Sequence, residues 1–306
     1  MKGFVTLATG NIRYFRMAVN LLQSYRFFAK DKYPFAIIAD KENEYTKLFD
    51  KVVLIKDAQG TYMDKIKLLN NCPYDENIFI DADCLVYKDL NEYWECFRDA
   101  DDFSCFGSAL PLNSQKGLFK REDIGEYKDK IKFVTHLHGV VYFIRKGKLC
   151  EELLKTCYYI IDNYDHYYFE FFKEPADESV FALAMAIHNC HPVKRKTRFY
   201  VFLPVAKRLK ADISRGYLSY TILNGEKTET GMLVHWANVN TKKAVYKREC
   251  YKLQKIISGY KINKIEIVFL RFVWKSKDFI YEIRNKLYEL QGIVKSRIYE
   301  LTSNDN

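Results

Sequence analysis

Two aspartates one residue apart, Asp81 and Asp83, close the apolar run Asn77-Ile-Phe-Ile80. Carboxylates at i and i+2 can hold a hard divalent cation, and that cation can in turn hold a diphosphate. Within Asn77–Val86, four mostly β-forming residues run into the two carboxylates and a short apolar run follows, which reads as a buried strand whose end delivers Asp81 and Asp83 to one spot. In open α/β sheets the carboxyl ends of strands are where ligands bind, so a sugar nucleotide is the natural candidate. The same tripeptide recurs as Asp99-Ala-Asp101, after Cys96-Phe-Arg98 and beside Asp102. No apolar strand precedes that copy, and it reads as an acidic helix end or turn. A third constellation, His188-Asn-Cys190-His191, has a zinc-like look but no second ligand pair at finger spacing. No Gly-x-Gly-x-x-Gly or Walker lysine motif occurs, and nothing marks a serine or cysteine nucleophile.

The elements that must position Asp81 and Asp83 alternate between strand and helix patterns. Gly3–Ala8 reads as a buried strand, Thr9-Gly10-Asn11 as a turn, and Tyr14–Phe28 as a helix through Met17, Leu21, Leu22 and Tyr25. Strands are expected at Phe35–Ala39, ending at Asp40, and at Val52–Ile55. A short helix over Tyr62–Leu69 carries Lys65 and Lys67. Beyond Asp83, Leu90–Phe97 has helical spacing and Phe103–Phe106 strand character. The polar stretch 113–132 reads as a loop or lid. His138–Ile144 returns to strand, and Glu151–Tyr164 and Asp177–Ile187 read as helices. The second of these opens with acids that suit the helix dipole. Late strands are expected at Arg198–Leu203 and Met232–His235, followed by a basic helical pattern from Lys243. The alternation predicts an α/β fold with a mostly parallel central sheet flanked by helices.

Composition sets the outer bounds. The chain has 306 residues, 48% hydrophobic and 16% aromatic, enough for a substantial core, and six prolines. Eight cysteines lie at irregular positions with no Cys-x-x-Cys pair, and Met1-Lys-Gly-Phe-Val-Thr6 leads directly into a strand pattern. Those features predict reduced thiols and a cytoplasmic protein without a signal peptide. The net charge of +10 is concentrated near the C-terminus. Between Lys242 and Glu300 there are fifteen Lys and Arg against six Asp and Glu. A catalytic domain over 1–241 and a basic helical extension over 242–306 follow from that asymmetry. Within Lys261–Arg297, cations alternate with Ile267-Val-Phe-Leu270, Phe272 and Val273-Trp274, a run too short to span a bilayer. It reads either as a helix lying on an anionic membrane surface or as a subdomain packed on the core. Charge confined to one end, with no nucleic-acid motif, argues against a nucleic-acid-binding protein.

Four segments together resemble the GT-A glycosyltransferases, and among them the family 8 retaining enzymes. They are Phe4–Ser24; Met63-Asp-Lys65-Ile-Lys67 followed by Ile78-Phe-Ile-Asp81-Ala-Asp83; Asp177-Glu178-Ser179; and His235-Trp236 followed by Lys242-Lys243. The sequence departs from the family pattern at His138-Gly139, where Asn usually precedes the glycine, and at Glu178, where Gln is usual. The spacing from His235 to the lysines is one residue longer than the family pattern. The resemblance implies a retaining hexosyltransferase that takes a UDP-sugar to a glycan or glycolipid acceptor. An inverting GT-A enzyme or a nucleotidyltransferase is the alternative. It implies Mn²⁺, or Mg²⁺, on Asp81, Asp83 and His235. Donor contacts would come from Thr6, Ala8, Thr9, Tyr14, Asp40, Lys65, Ala82, His138, Gly139, Lys242 and Lys243. Asp177 and Glu178 would sit near the reacting sugar, as hydroxyl binder, cation stabiliser or nucleophile.

Overall fold

The structure, a computed structural model, describes residues 1–276 except positions 170, 197, 204–205, 223–224, 226, 230 and 264. The chain divides into two compact units, Met1–His235 and Trp236–Asn306.

In the first unit the elements run β1 (Lys2–Ala8), α1 (Ile12–Phe28), β2 (Phe35–Ala39), β3 (Lys51–Leu54), α2 (Leu68–Asn71), β4 (Glu76–Ile80), β5 (Cys84–Val86), α3 (Glu92–Cys96), β6 (Phe103–Leu110) and β7 (Val134–Arg145). They continue with α4 (Lys148–Asp162), α5 (Asp177–Ile187), β8 (Val193–Lys194), β9 (Val201–Phe202), β10 (Ala206–Asp212), β11 (Tyr217–Ile222), β12 (Lys227–Glu229) and β13 (Leu233–His235). Seven strands form the main sheet in the order β3-β2-β1-β4-β7-β6-β8. The first four are parallel, and β7 runs antiparallel to both of its neighbours. This is the mostly parallel sheet expected from the β-α-β alternation.

Both faces of the sheet are covered, which is why its strands read as unbroken apolar runs. Along β1 and β4 alternate residues enter different cores. Phe4, Ile78 and Ile80 pack with the α1 side chains Phe15, Leu21, Leu22 and Tyr25. Val5 and Phe79 pack with Leu153, Val180 and Leu183 of α4 and α5. Helix α1 starts at Ile12, two residues before the spacing suggests, because Asn11 caps it by accepting from the Arg13 N–H at 2.9 Å.

Two expectations are refined. Tyr62–Lys67 is a 3-10 helix, and only Leu68–Asn71 continues as α-helix. The stretch 113–132 is a loop with two 3-10 turns, at Arg121–Asp123 and Gly125–Tyr127. β4 ends at Ile80, so the aspartates lie at the end of a buried strand as expected. After Ile80 the chain turns, with the Cys84 N–H bonding the Asp81 carbonyl at 3.1 Å, and β5 joins a second sheet of order β5-β13-β9. An antiparallel sheet β10-β11-β12 had no counterpart in the sequence reading.

In the second unit α6 (Ala237–Asn240) and α7 (Ala244–Ile257) are followed by a helical run at 265–276. Ile265, Val268, Phe269 and Phe272 of that run are all exposed. The rest of the basic stretch, from 277 onward, lies outside the described residues.

Candidate metal and donor site

The turn between β4 and β5 explains how the two aspartates come together. The Asp81 N–H still bonds the Val140 carbonyl at 3.0 Å, so Asp81 is held by the main-sheet ladder. Cys84, immediately after Asp83, pairs with His235 of β13. The second sheet therefore carries a histidine from 150 residues away to the aspartates. His235 Nε2 lies 3.1 Å from Asp83 Oδ1 and 3.6 Å from Asp81 Oδ2. One ligand atom from each of the three side chains falls within 4.8 Å of the others, the only such group among the described residues.

The electrostatics couple the three groups tightly. Burial pushes Asp81 up to about 7, against the charges of Lys65 and His235. Burial also acts on Asp83, but the hydrogen bond and charge of His235 outweigh it and hold that carboxyl below its usual range. His235 is correspondingly raised: burial opposes its charge, while Asp83 and Asp81 favour it. Its Nδ1 is buried with no hydrogen-bond partner among the described residues. Two hard oxygens and an imidazole nitrogen, all mostly buried, fit Mn²⁺ or Mg²⁺ in place of the shared proton.

Lys65 ties this centre to the acids of α5. Its Nζ stands 2.9 Å from Asp81, 3.2 Å from Asp177 and 2.9 Å from the Gly139 carbonyl. Burial disfavours its charge, yet Asp177 and Asp81 keep it firmly protonated. Asp177 also accepts from Tyr142 Oη at 3.0 Å and is almost wholly buried. Glu178 accepts from the Gly139 N–H at 2.6 Å. Burial, then the charge of Asp177, raise its carboxyl. Gly139 is required there by space: a Cβ would lie 2.6 Å from Asp177 Oδ2 and 2.7 Å from Tyr142 Oη. The two α5 acids and β7 close on each other because that position has no side chain.

The structure thus gathers Asp81, Asp83, His235, Lys65, Gly139, Asp177 and Glu178 in one place. A second group lies at the ends of β1 and β2. There the Gly10 N–H bonds Asp40 Oδ2 at 3.0 Å, and Asp40 Oδ1 is buried without a partner. The Thr9 hydroxyl is turned inward to Asp64 Oδ2 at 2.7 Å, and the wholly buried Thr6 hydroxyl donates to the Ile80 carbonyl. Ala8 and Ala82 are buried and Tyr14 is half-buried. Lys242 and Lys243 are exposed and belong to the second unit.

The zinc-like fragment does not converge. His188 Nε2 engages Thr156 Oγ1 at 2.7 Å, while His191 Nδ1 is 3.6 Å from Asp101. All eight cysteines are unpaired thiols, in keeping with the sequence reading. Two contributors to the site went unread in the sequence. Tyr142 is one strand residue among many apolar ones, and Asp64 was seen only as a neighbour of Lys65. The spacing of Tyr142 three residues after Gly139 was the available signal.

No protein-family model matches the chain, and no curated protein matches it in sequence. Among solved structures, the galactosyltransferase LgtC in complex with donor and acceptor sugar analogues aligns with 88% of this chain and 100% of its own, at 13% identity and a TM-score of 0.51. The fold is GT-A. An LgtC structure carrying an active-site glutamine-to-glutamate mutation also aligns, over 78% of this chain and 88% of that one, at 15% identity and a TM-score of 0.47. Among the described residues no helix is long and apolar enough to cross a membrane.

Proposed function

We propose that this protein is a metal-dependent, retaining glycosyltransferase that moves a hexose from a UDP-sugar to a glycan or glycolipid acceptor. Residues 1–241 would be its catalytic domain and 242–306 a basic extension. The observation that carries the reading is the convergence of Asp81, Asp83 and His235 at the end of a GT-A sheet, within 4.8 Å of one another. When bound there, Mn²⁺ or Mg²⁺ supplies Lewis-acid stabilisation of the departing diphosphate, worth several kcal/mol. Asp81 and Asp83 provide the oxygen ligands and His235 the nitrogen. Lys65 holds a fixed positive charge beside them, where phosphate charge develops. Asp40, with its unpartnered oxygen at the end of β2, is the group suited to a ribose hydroxyl. Glu178, held by the Gly139 N–H, is the carboxylate placed to meet positive character on the sugar, with Asp177 positioned by Lys65 and Tyr142.

The test is a screen of UDP- and GDP-sugars for Mn²⁺-dependent hydrolysis without acceptor, followed by anomeric analysis of any transfer product. Hydrolysis of a UDP-sugar that stops with EDTA is expected. No turnover with any donor would sink the reading, and an inverted product would replace it with the inverting alternative.

The helical run at 265–276 supports a membrane-surface role within the same reading. Ile265, Val268, Phe269 and Phe272 follow the i, i+3, i+4, i+7 spacing of one helix face and are exposed, with Lys261, Arg271 and Lys275 nearby. A cytoplasmic enzyme seated peripherally on anionic lipid, next to a lipid-linked acceptor, accounts for that composition. Co-sedimentation with phosphatidylglycerol vesicles but not with phosphatidylcholine vesicles is expected, and equal behaviour with both would rule it out.

A further inference from the structure

Arg195, at the end of β8, stands out among the cations of the first unit. Its neighbours Lys196 and Arg198 both spend their charge on Glu92. Arg195 instead donates from Nη1 to the Tyr200 carbonyl at 2.8 Å and lies over the Tyr200 ring at 4.6 Å. No carboxylate pairs with it among the described residues. A half-buried guanidinium fixed by a carbonyl and an aromatic face keeps free donors pointed at whatever fills the space beside it.

Strand register shows what that space adjoins. Gly107 of β6 is opposite Lys194 of β8, and Ser108 of β6 is opposite His136 of β7. Arg195 and Ser108 are the residues that follow this last paired position, Lys194 and Gly107, on the two chains, and Ser108 faces His136 across the β6–β7 ladder. His138 lies two residues along β7 on the same face, its ring 5.2 Å from that of His136. It directly precedes Gly139, whose backbone binds Lys65 and Glu178. Burial, followed by the charge of Arg195, lowers His136, and burial, His136 and Arg195 lower His138 to about 4. Both imidazoles are therefore neutral at physiological pH, and a neutral imidazole carries an N–H that can serve as a donor. β7, β6 and β8 lie across β4 from β1 and β2, the side given above to the donor nucleoside.

We propose that Arg195, with Ser108, His136 and His138, forms a subsite for an anionic group, a carboxylate or a phosphate, carried by the acceptor saccharide. The assignment to an acceptor rests on the transferase reading above; the anion subsite itself does not. A planar guanidinium pairs with either oxyanion through two parallel hydrogen bonds, and the hydroxyl and imidazole donors complete the cradle. A neutral sugar would leave Arg195 without its counter-charge, so the subsite selects for charge.

The test uses the full chain with labelled histidines, whose imidazole resonances are assigned from His136→Gln and His138→Gln variants. Glucuronate, glucose 6-phosphate and glucose are titrated separately. Saturable shifts of the His136 and His138 signals are expected with one or both anions and not with glucose. Whichever anion binds more tightly identifies the group. Arg195→Gln should weaken that binding by about tenfold or more, with Arg195→Lys in between. The subsite is wrong if neither anion moves these signals, if glucose moves them equally, or if Arg195→Gln binds the anions as wild type does. Mn²⁺ binding, followed on the same samples by electron paramagnetic resonance, separates the two failures. Loss of the anion titration with Mn²⁺ still bound sinks the subsite alone, and absent Mn²⁺ binding sinks the transferase reading alone.

Discussion

The tripeptide Asp-Ala-Asp occurs twice in this chain and meets two different fates. Asp81-Ala-Asp83 is a turn between two sheets, and each sheet contributes something the other lacks. The main sheet holds Asp81 by its backbone, and the small sheet brings His235 alongside Asp83. Asp99-Ala-Asp101 spends its charge on neighbouring backbone and side chains. Asp101 accepts from the His191 N–H at 2.7 Å and pairs with its ring, and the adjacent Asp102 pairs with Arg145 of β7 at 2.9 Å. The first copy keeps its carboxylates aimed at each other across an imidazole, which is costly without a cation. The second copy is already satisfied. Carboxylates can become a metal site when the fold buries them together beside an imidazole rather than leaving each to a separate surface partner.

The sharpest way to break this comparison is to neutralise one aspartate in each copy. Asp83→Asn removes one of three ligands and should lower Mn²⁺-dependent donor turnover on the order of a hundredfold or more. Asp101→Asn should leave turnover near wild type and cost about 1 kcal/mol of folding stability, since it weakens one charge-assisted bond at a partly exposed site. Hydrolysis rates and urea midpoints on both variants decide it. Equal effects of the two substitutions on turnover would erase the distinction.

Gly139→Ala probes how the first copy is linked to the acids of α5. The added methyl would meet Asp177 Oδ2, Tyr142 Oη and Glu178 Cγ at once. A loss of about 1–3 kcal/mol from overpacking is expected, with turnover falling further than stability because Glu178 loses its place. Thermal melts compared with turnover would show this. A variant as stable and as active as wild type would mean that the close approach of β7 and α5 is dispensable.

Much of this architecture was legible in the sequence because buried parallel strands announce themselves as apolar runs with charged ends. β2 and α5 fall where periodicity places them, Asp81 and Asp83 are named from types and spacing, and Lys65 and Glu178 come from the family resemblance. What could not be read is long-range pairing. Nothing local distinguishes a strand that continues from one that turns at Asp81 and enters another sheet, because Cys84-Leu-Val86 is apolar in either case. The pairing of Cys84 with His235 across 150 residues has no local signature, so His235 came from resemblance alone. Arg195 was lost among many cations, since its distinction is that no carboxylate among the described residues pairs with it. Thr6 and Thr9 show the opposite failure: their hydroxyls look available in sequence and are turned inward.

The smallest effect separates two histidines of the same region by sign. Without metal, His235 has a raised pKa, so its contribution to stability is present at low pH and is lost as pH rises through its folded-state value. His138 has the reverse arrangement. Burial and the charges of His136, Arg195 and His235 hold it down at about 4, while in the unfolded chain it titrates near 6.5. Between those values the unfolded chain takes up a proton that the folded one refuses. Stability must therefore fall as pH drops from about 6.5 toward 4, and level off below. With solvent screening the His138 term at pH 5 is on the order of 1 kcal/mol. In EDTA, wild type should lose that much more stability than His138→Gln between pH 7 and pH 5, as urea unfolding would show. Parallel pH profiles for the two proteins would mean that the proton costs nothing at His138, and that Arg195 does not face it.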